Sequence, residues 1–323
     1  MSKFVQDFSE NKRYKSFSSH KSYRKHNIGK ILKAFLFTLL ALIAVILLTG
    51  CKAELWDPKG IVAADEKQLF IVATLLMLIV VIPVLIMTAV FSWRFRASNT
   101  KEKYRPDWSH STILEVIWWG VPIILIIILA ILTWISSFRL DPYRPLDVEG
   151  KPITIQAISL SWKWLFIYPE QNIATVNFVQ FPAHKQVKFL ITSDAPMNSF
   201  AIPQLAGQIY AMEGMQTKLH LIANETGEFN GRSTNYSGNG FSGMKFIAKA
   251  STQEEFDQWV RKVKSSPNGL TMKAYDQLVM PTKNHKVEYY SSVTKNLFHK
   301  VIMKFMSPEM HKVDNNKKNE VKM

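Results

Sequence analysis

A single cysteine, Cys51, occurs in 323 residues. It excludes an intramolecular disulfide and any metal site built from several thiolates. Charged residues are scarce as well, at 20% against 47% hydrophobic. The apolar residues are gathered into three long runs, a texture that belongs to membrane proteins and not to a soluble domain of this size. Also missing are a phosphate-binding loop, a hydrolase triad and an internal repeat. The eight histidines, among them His110, His220 and His285, show no ligand spacing with one another and read as surface or packing residues. Net charge is +15, but residues 1–50 hold nine Lys and Arg against two acids, so +7 lies there and +8 in the rest. Without a recognition motif, that excess points to targeting and topology and not to nucleic acid.

What is present begins with a basic leader from Lys12 to Lys33, an apolar run from Ala34 to Leu48, and the ending Leu48-Thr49-Gly50-Cys51. A charged start, a short apolar core and small residues describe a secretory signal peptide over residues 1–50. The alternative is an uncleaved first membrane helix with a chance cysteine. Two spans are expected at about residues 69–91 and 113–138, each long enough to cross a hydrocarbon core of about 30 Å. Pro83 and Pro122 fall inside them, which membrane helices tolerate. The loop between them carries Arg94, Arg96, Lys101, Lys103 and Arg105. Positive charge marks the cytoplasmic side, so both outer ends should face away from the cytoplasm. Trp56, Trp93, Trp108 and Trp134 fall near the expected interfaces.

After the proline-punctuated linker at 139–145 the pattern changes to period two. Residues 153–158, 174–178, 187–191, 218–222 and 244–248 alternate apolar with polar or small side chains. Short strands between Gly, Pro and Asn turns predict an antiparallel β-sandwich over 141–251. Thr252-Gln253-Glu254-Glu255 opens a helix with a capping box, and Phe256, Trp259, Val260 and Val263 follow at helical spacing. A helical extension is expected over 252–306 and a polar tail over 307–323. The expected class is therefore membrane α + β: a two-helix transmembrane hairpin over 51–140, the sandwich, then C-terminal helices.

One loop carries the chemistry. The run from Gly227 to Met244, with Ser233, Ser237, Phe241 and Met244 spaced by four, four and three, resembles the dinuclear copper-binding loop of the heme–copper oxidase subunit II family, whose ligands stand at those positions. Asn235 stands between the two serines, and Asn198 occupies the upstream position in Asn198-Ser199-Phe200-Ala201-Ile202-Pro203. Such a centre needs soft thiolates and imidazoles, and serine hydroxyls and a phenyl ring supply neither. Read alone, any Gly-Ser-Asn turn would look alike. With Pro196 to Pro203 upstream, Gly227, Gly231, Met244 and two spans ahead of it, the chain resembles the heme–copper oxidase subunit II family. The resemblance runs from roughly Phe35 to Phe305, on the quinol-oxidising branch typified by cytochrome o ubiquinol oxidases.

That resemblance implies a cupredoxin-like domain without its copper, in a subunit of a proton-pumping terminal ubiquinol oxidase. It implies that hemes and a copper belong to subunit I, and that this chain anchors and caps it alongside subunits III and IV, with no role for cytochrome c. It implies an inner-membrane location, with the sandwich in the periplasm. The ending at Cys51 resembles a bacterial lipobox, which implies acylation of Cys51. Glu115, in a Glu-x-x-Trp context with Trp118, implies the mouth of a proton path into subunit I. The other reading of Glu115 is a carboxylate capping a helix N-terminus, where it suits the dipole. Trp162 and Trp164, with Phe166 and Tyr168, are expected to pack the domain against subunit I, since aromatics favour interface cores. The competing functions are a menaquinol oxidase subunit and a membrane-anchored lipoprotein scaffold or assembly factor.

Overall fold

The computed structural model describes residues 37, 39, 40, 54–102, 107 and 109–306. The chain divides into two compact units, Met1–Ala53 and Glu54–Met323. In the first, residues 37, 39 and 40 are helical. The leader ending at Cys51, loop residues Lys103, Arg105 and Trp108, and the tail from 307 lie outside the described residues.

The second unit opens with two helices, α1 (Ile61–Arg94) and α2 (Thr112–Arg139), both long and apolar enough to cross a membrane. Neither has a polar face, and Ala63 is the one buried residue among them. So much exposed Leu, Ile and Val fits a hydrocarbon surround and not water. Pro83 and Pro122 lie inside without ending either helix. The first helix starts ahead of the apolar run from Leu69, so its opening turns project beyond the apolar segment. Asp65 on that projection accepts from Arg139, at the end of α2, with 2.9 Å to each carboxylate oxygen.

The segment before α1 is sewn to the sandwich. Lys59 and Gly60 donate their backbone N–H groups to Gln204 O at 2.7 and 3.0 Å, and Asn224 N donates to Lys59 O at 2.8 Å. A Cβ on Gly60 would lie 2.3 Å from Leu205 O and 2.8 Å from Ile222 O, so only glycine lets these backbones meet. Glu54 forms an ion pair with Arg232 and accepts from Asn230 at 3.3 Å.

Eleven strands build the sandwich. Strands β1 (Ile153–Leu160), β2 (Lys163–Tyr168), β3 (Ile173–Val176), β5 (Val187–Ser193), β8 (Thr217–Leu221) and β11 (Glu288–Tyr290) form one sheet in the order β11-β3-β2-β1-β5-β8. Strands β4 (Phe178–Pro182), β6 (Asn198–Ile202), β7 (Ala206–Ala211), β9 (Gly227–Ser233) and β10 (Lys245–Ser251) form the other in the order β4-β10-β9-β6-β7. The pairs β1–β5 and β4–β10 are parallel, and the remaining ladders are antiparallel. The single strand expected over 174–178 is two strands in different sheets. Asn177 breaks it with φ 55°, a left-handed conformation that asparagine tolerates. Its side chain then accepts from Trp164 N at 2.9 Å and donates to His285 O at 2.8 Å.

Between the sheets lies an aromatic core in which Phe200 and Phe246 stack at 5.1 Å and 17°, with Trp164 edge-on to Phe200. Helix α3 (Gln253–Lys264) adds Phe256, Trp259, Val260 and Val263 to the same core. The capping box closes as expected: Glu255 N donates to Thr252 Oγ1, and Thr252 N donates to the Glu255 carboxylate. Helices α4 (Met272–Val279) and α5 (Leu297–Lys304) cover the outer face of the six-stranded sheet, where Leu160 and Leu165 join a second cluster with Tyr275, Phe298 and Val301. Covered on both faces, β2 is buried along its whole length. Asp194 fastens this cover. Its carboxylate, 1% exposed, accepts from the Tyr275 hydroxyl and from Lys304 Nζ, each at 2.7 Å. Burial, reinforced by that carboxylate, pushes the Tyr275 phenol well above its usual range.

Candidate functional site

The loop from Ser233 to Met244 joins β9 to β10 and is closed at its base, where Ser233 N donates to Met244 O at 3.1 Å. The six positions picked out in the sequence meet around it. Asn198, in β6, is 1% exposed, and its side-chain N–H groups reach Ser237 Oγ at 3.1 Å and Met244 Sδ at 3.2 Å. Its side-chain oxygen accepts from Ser199 N at 2.8 Å. The Ser233 hydroxyl accepts from Trp164 Nε1 at 3.1 Å. Asn235 turns outward and donates to Met197 O at 3.0 Å. Phe241, in the short 3-10 turn Phe241–Gly243, packs its ring 5.7 Å from Tyr236.

The donor set does not fit a copper pair. Its side chains offer hydroxyls, amides, one thioether and a phenyl ring, without the thiolate and imidazole groups that hold copper in such loops. The one soft atom, Met244 Sδ, already accepts from Asn198. Hydrogen bonds close the loop where ligand bonds would otherwise close it, and each buried polar group finds a partner, as burial requires. Among the described residues there is no group of three or more His, Cys, Asp or Glu able to hold a metal ion.

Trp164 is not available as an interface residue. It is fully buried between the sheets, as are Phe166 and Tyr168, because α3 and the second sheet cover them from within the chain. This corrects the expectation that Trp162 and Trp164 together face a partner. Trp162 is half-buried with φ 66°, donates Nε1 to Ser237 O at 2.9 Å, and lies over Gly240, where a Cβ would come within 2.3 Å of its ring. Its first visible role is to floor the loop. Between the two tryptophans, Lys163 is 1% exposed and donates Nζ to Met280 O and Thr282 Oγ1. Burial lowers the pKa of its ammonium, and Glu288 partly offsets that. Sequence reasoning missed this lysine, since nothing in Trp-Lys-Trp signals that the middle residue is buried.

Glu115 lies in the first turn of α2, at the end of the hairpin away from the sandwich. Its carboxylate is 2.6 Å from His110 Nδ1, and His110 Nε2 is 3.2 Å from Thr112 Oγ1. The Ser111 side chain at the N-cap makes no capping bond. His110 was read as an isolated surface residue. Its pairing depends on the turn that brings the loop back over the helix start.

Residues 170–251 match the family model for the periplasmic domain of cytochrome c oxidase subunit II, and residues 264–309 match the COX aromatic-rich motif. The cytochrome bo(3) ubiquinol oxidase subunit 2 of Pseudomonas aeruginosa is 57% identical over 266 residues, 82% of this chain and 80% of that one. The ubiquinol oxidase subunit 2 of Acetobacter aceti is 48% identical over 81% of this chain and 86% of its own. The quinol oxidase subunit 2 of Bacillus cereus is 38% identical over 77% and 87%. All three are named as oxidase subunits, which supports that reading over a free-standing scaffold. With that identity over most of its length, the chain belongs to the heme–copper oxidase subunit II family, among the cytochrome bo(3)-type ubiquinol oxidase subunits.

Proposed function

We propose that this chain is the metal-free subunit II of a terminal ubiquinol oxidase in an aerobic respiratory chain. The carrying observation is the Asn198–Ser237–Met244 network, which fills the position of an electron-accepting copper pair with groups that cannot hold one. Without that relay the sandwich has no means of taking electrons from a soluble cytochrome. Electrons then come from ubiquinol in the membrane to the hemes and copper of subunit I, where oxygen is reduced to water. The chain anchors and caps subunit I, alongside subunits III and IV, in a bacterial inner membrane. The basic loop between the helices lies in the cytoplasm, the sandwich lies in the periplasm, and acylated Cys51 holds the N-terminus at the outer leaflet.

On this orientation Glu115 lies at the cytoplasmic surface, at the start of a helix that crosses the bilayer. An ionisable group at such a place is retained for function or pairing. Here it gathers protons at the mouth of a path into subunit I, with His110 as its neighbour. The test is oxygen uptake by the purified complex with a short-chain ubiquinol and, separately, with reduced cytochrome c. Uptake with the quinol alone is expected, with heme co-purifying. Efficient uptake from cytochrome c, or migration of the chain without heme-bearing partners, would overturn the proposal.

A further inference from the structure

Two adjoining cavities lie where the helical hairpin meets the sandwich. The upper one, about 400 Å³, runs between the outer ends of α1 and α2, the linker 141–148 and the sandwich. The lower one, about 180 Å³, is a cleft between the two helices, walled by Leu69, Val72, Leu132 and Ile135. Asp65, Arg139 and Leu140 line both, so the two share a rim. The upper volume lies in the range of small-molecule sites, roughly 300–1,000 Å³.

Their chemistry changes sharply over that shared rim. Four carboxylates, Asp65, Glu66, Asp141 and Asp147, line the upper chamber against two guanidiniums, Arg139 and Arg144. Arg139 is paired with Asp65, and Arg144 with Asp147 at 3.0 Å. Among the described residues, Glu66 and Asp141 have backbone amides as their partners, those of Gly207 and Tyr143. The chamber therefore holds two carboxylates without a cation, beside two arginines that keep further N–H donors. The cleft below is walled mainly by aliphatic side chains. Trp56 and Trp134, both more than half exposed, mark the membrane boundary at this end of the hairpin.

We propose that the paired cavities bind a phospholipid of the surrounding bilayer with a primary ammonium headgroup, as in phosphatidylethanolamine. The ammonium, with three donors, meets Glu66 and Asp141. The phosphate meets the outer N–H groups of Arg139 and Arg144. One acyl chain starts down the cleft past Leu69 and Leu132 and continues along the apolar helix faces. A glycerol headgroup brings no cation for the two carboxylates, and a choline headgroup has no N–H to donate. The proposal concerns the membrane boundary and stands apart from the route by which electrons arrive.

The intact oxidase complex is stripped of lipid in mild detergent and titrated with dioleoyl phosphatidylethanolamine, phosphatidylglycerol and phosphatidylcholine, with bound lipid counted by native mass spectrometry. Preferential uptake of the ethanolamine lipid is expected. A Glu66→Gln, Asp141→Asn double variant should bind it roughly tenfold more weakly, as expected for losing charge-assisted hydrogen bonds, while heme content and quinol turnover stay unchanged. Leu132→Trp, which fills the cleft and leaves the charges alone, should lose the same lipid whatever its head. Equal binding of all three lipids by the unmodified complex, or ethanolamine binding that survives both changes, overturns the assignment.

Discussion

The side-chain amide of Asn198 lies 3.2 Å from the sulfur of Met244, joining the start of β6 to the residue just before β10. The same amide reaches Ser237, so one buried group ties three segments that a metal could otherwise tie. Asn198→Ala should remove both bonds and leave Ser237 and Met244 unmatched. A loss of about 1–3 kcal/mol is expected. It should be read as faster hydrogen exchange in β9 and β10 of the intact complex, with ubiquinol oxidation retained. Unchanged exchange would show that the network does not hold the loop.

Glu115 and His110 make a second pair whose removal separates function from structure. Glu115→Gln should slow ubiquinol-driven oxygen uptake by roughly tenfold, less than the roughly 10²–10⁴-fold of a general acid or base in the chemical step, because water can still feed a path that opens at the surface. Heme content should stay normal, and Glu115→Asp should be milder. His110→Asn should slow turnover less than Glu115→Gln does. Wild-type rates in Glu115→Gln would leave the carboxylate as a helix cap alone.

Asp194 is the fastening of the C-terminal cover. Asp194→Ala strands the Tyr275 hydroxyl and frees Lys304 from its carboxylate. The expected cost is about 2–3 kcal/mol, in the range for a buried hydrogen bond to a charged group. Limited proteolysis of the purified complex should then cut within residues 264–306 well before the sandwich. Equal protection in the variant would place the strength of that cover in its apolar contacts with β1 and β2.

His220 is buried, and its Nδ1 lies 2.9 Å from the Gln186 amide nitrogen, which donates to the neutral ring. Burial, then Lys188 and Lys218, lower its pKa below the usual 6.5, while Asp141 and Asp147 line the same cavity. Because the folded state disfavours the protonated ring, the unfolded chain binds the proton more readily. Stability from this group is complete above pH 6.5 and falls as pH drops below it, toward the depressed value. Thermal melts of the complex between pH 8 and pH 5 should show that decline, and His220→Gln should flatten it.

Much of this architecture was legible in residue patterns, for reasons that differ by element. The two spans were visible because nothing but a hydrocarbon surround accommodates such runs as Leu69–Phe91. The capping box at Thr252 was visible because its donors and acceptors lie within one turn. Strand β2 was misread in its surroundings. Its outer face, with Leu165 and Ile167, is covered by α4 and α5, more than a hundred residues later, and its inner face, with Trp164, by the second sheet and α3, so Trp164 looked like an interface residue when it is core. Asn177 hid a sheet change, since a left-handed asparagine leaves no mark on periodicity. The loop from Ser233 to Met244 was legible as spacing. The bonds that fill it, from Asn198 to Ser237 and Met244, join residues up to 46 positions apart and emerge only in three dimensions.

The first helix runs without a break from the membrane into the seam with the sandwich, and Gly60 at its head has no room for even a methyl group. It therefore acts as a rigid strut whose residue count sets the domain's height and heading. One residue inserted between Ala64 and Gln68 would lift the sandwich by about 1.5 Å and swing it by roughly 100° about the strut. Point changes along that stretch can be absorbed by side chains, whereas a change of length would misalign every docking surface above it.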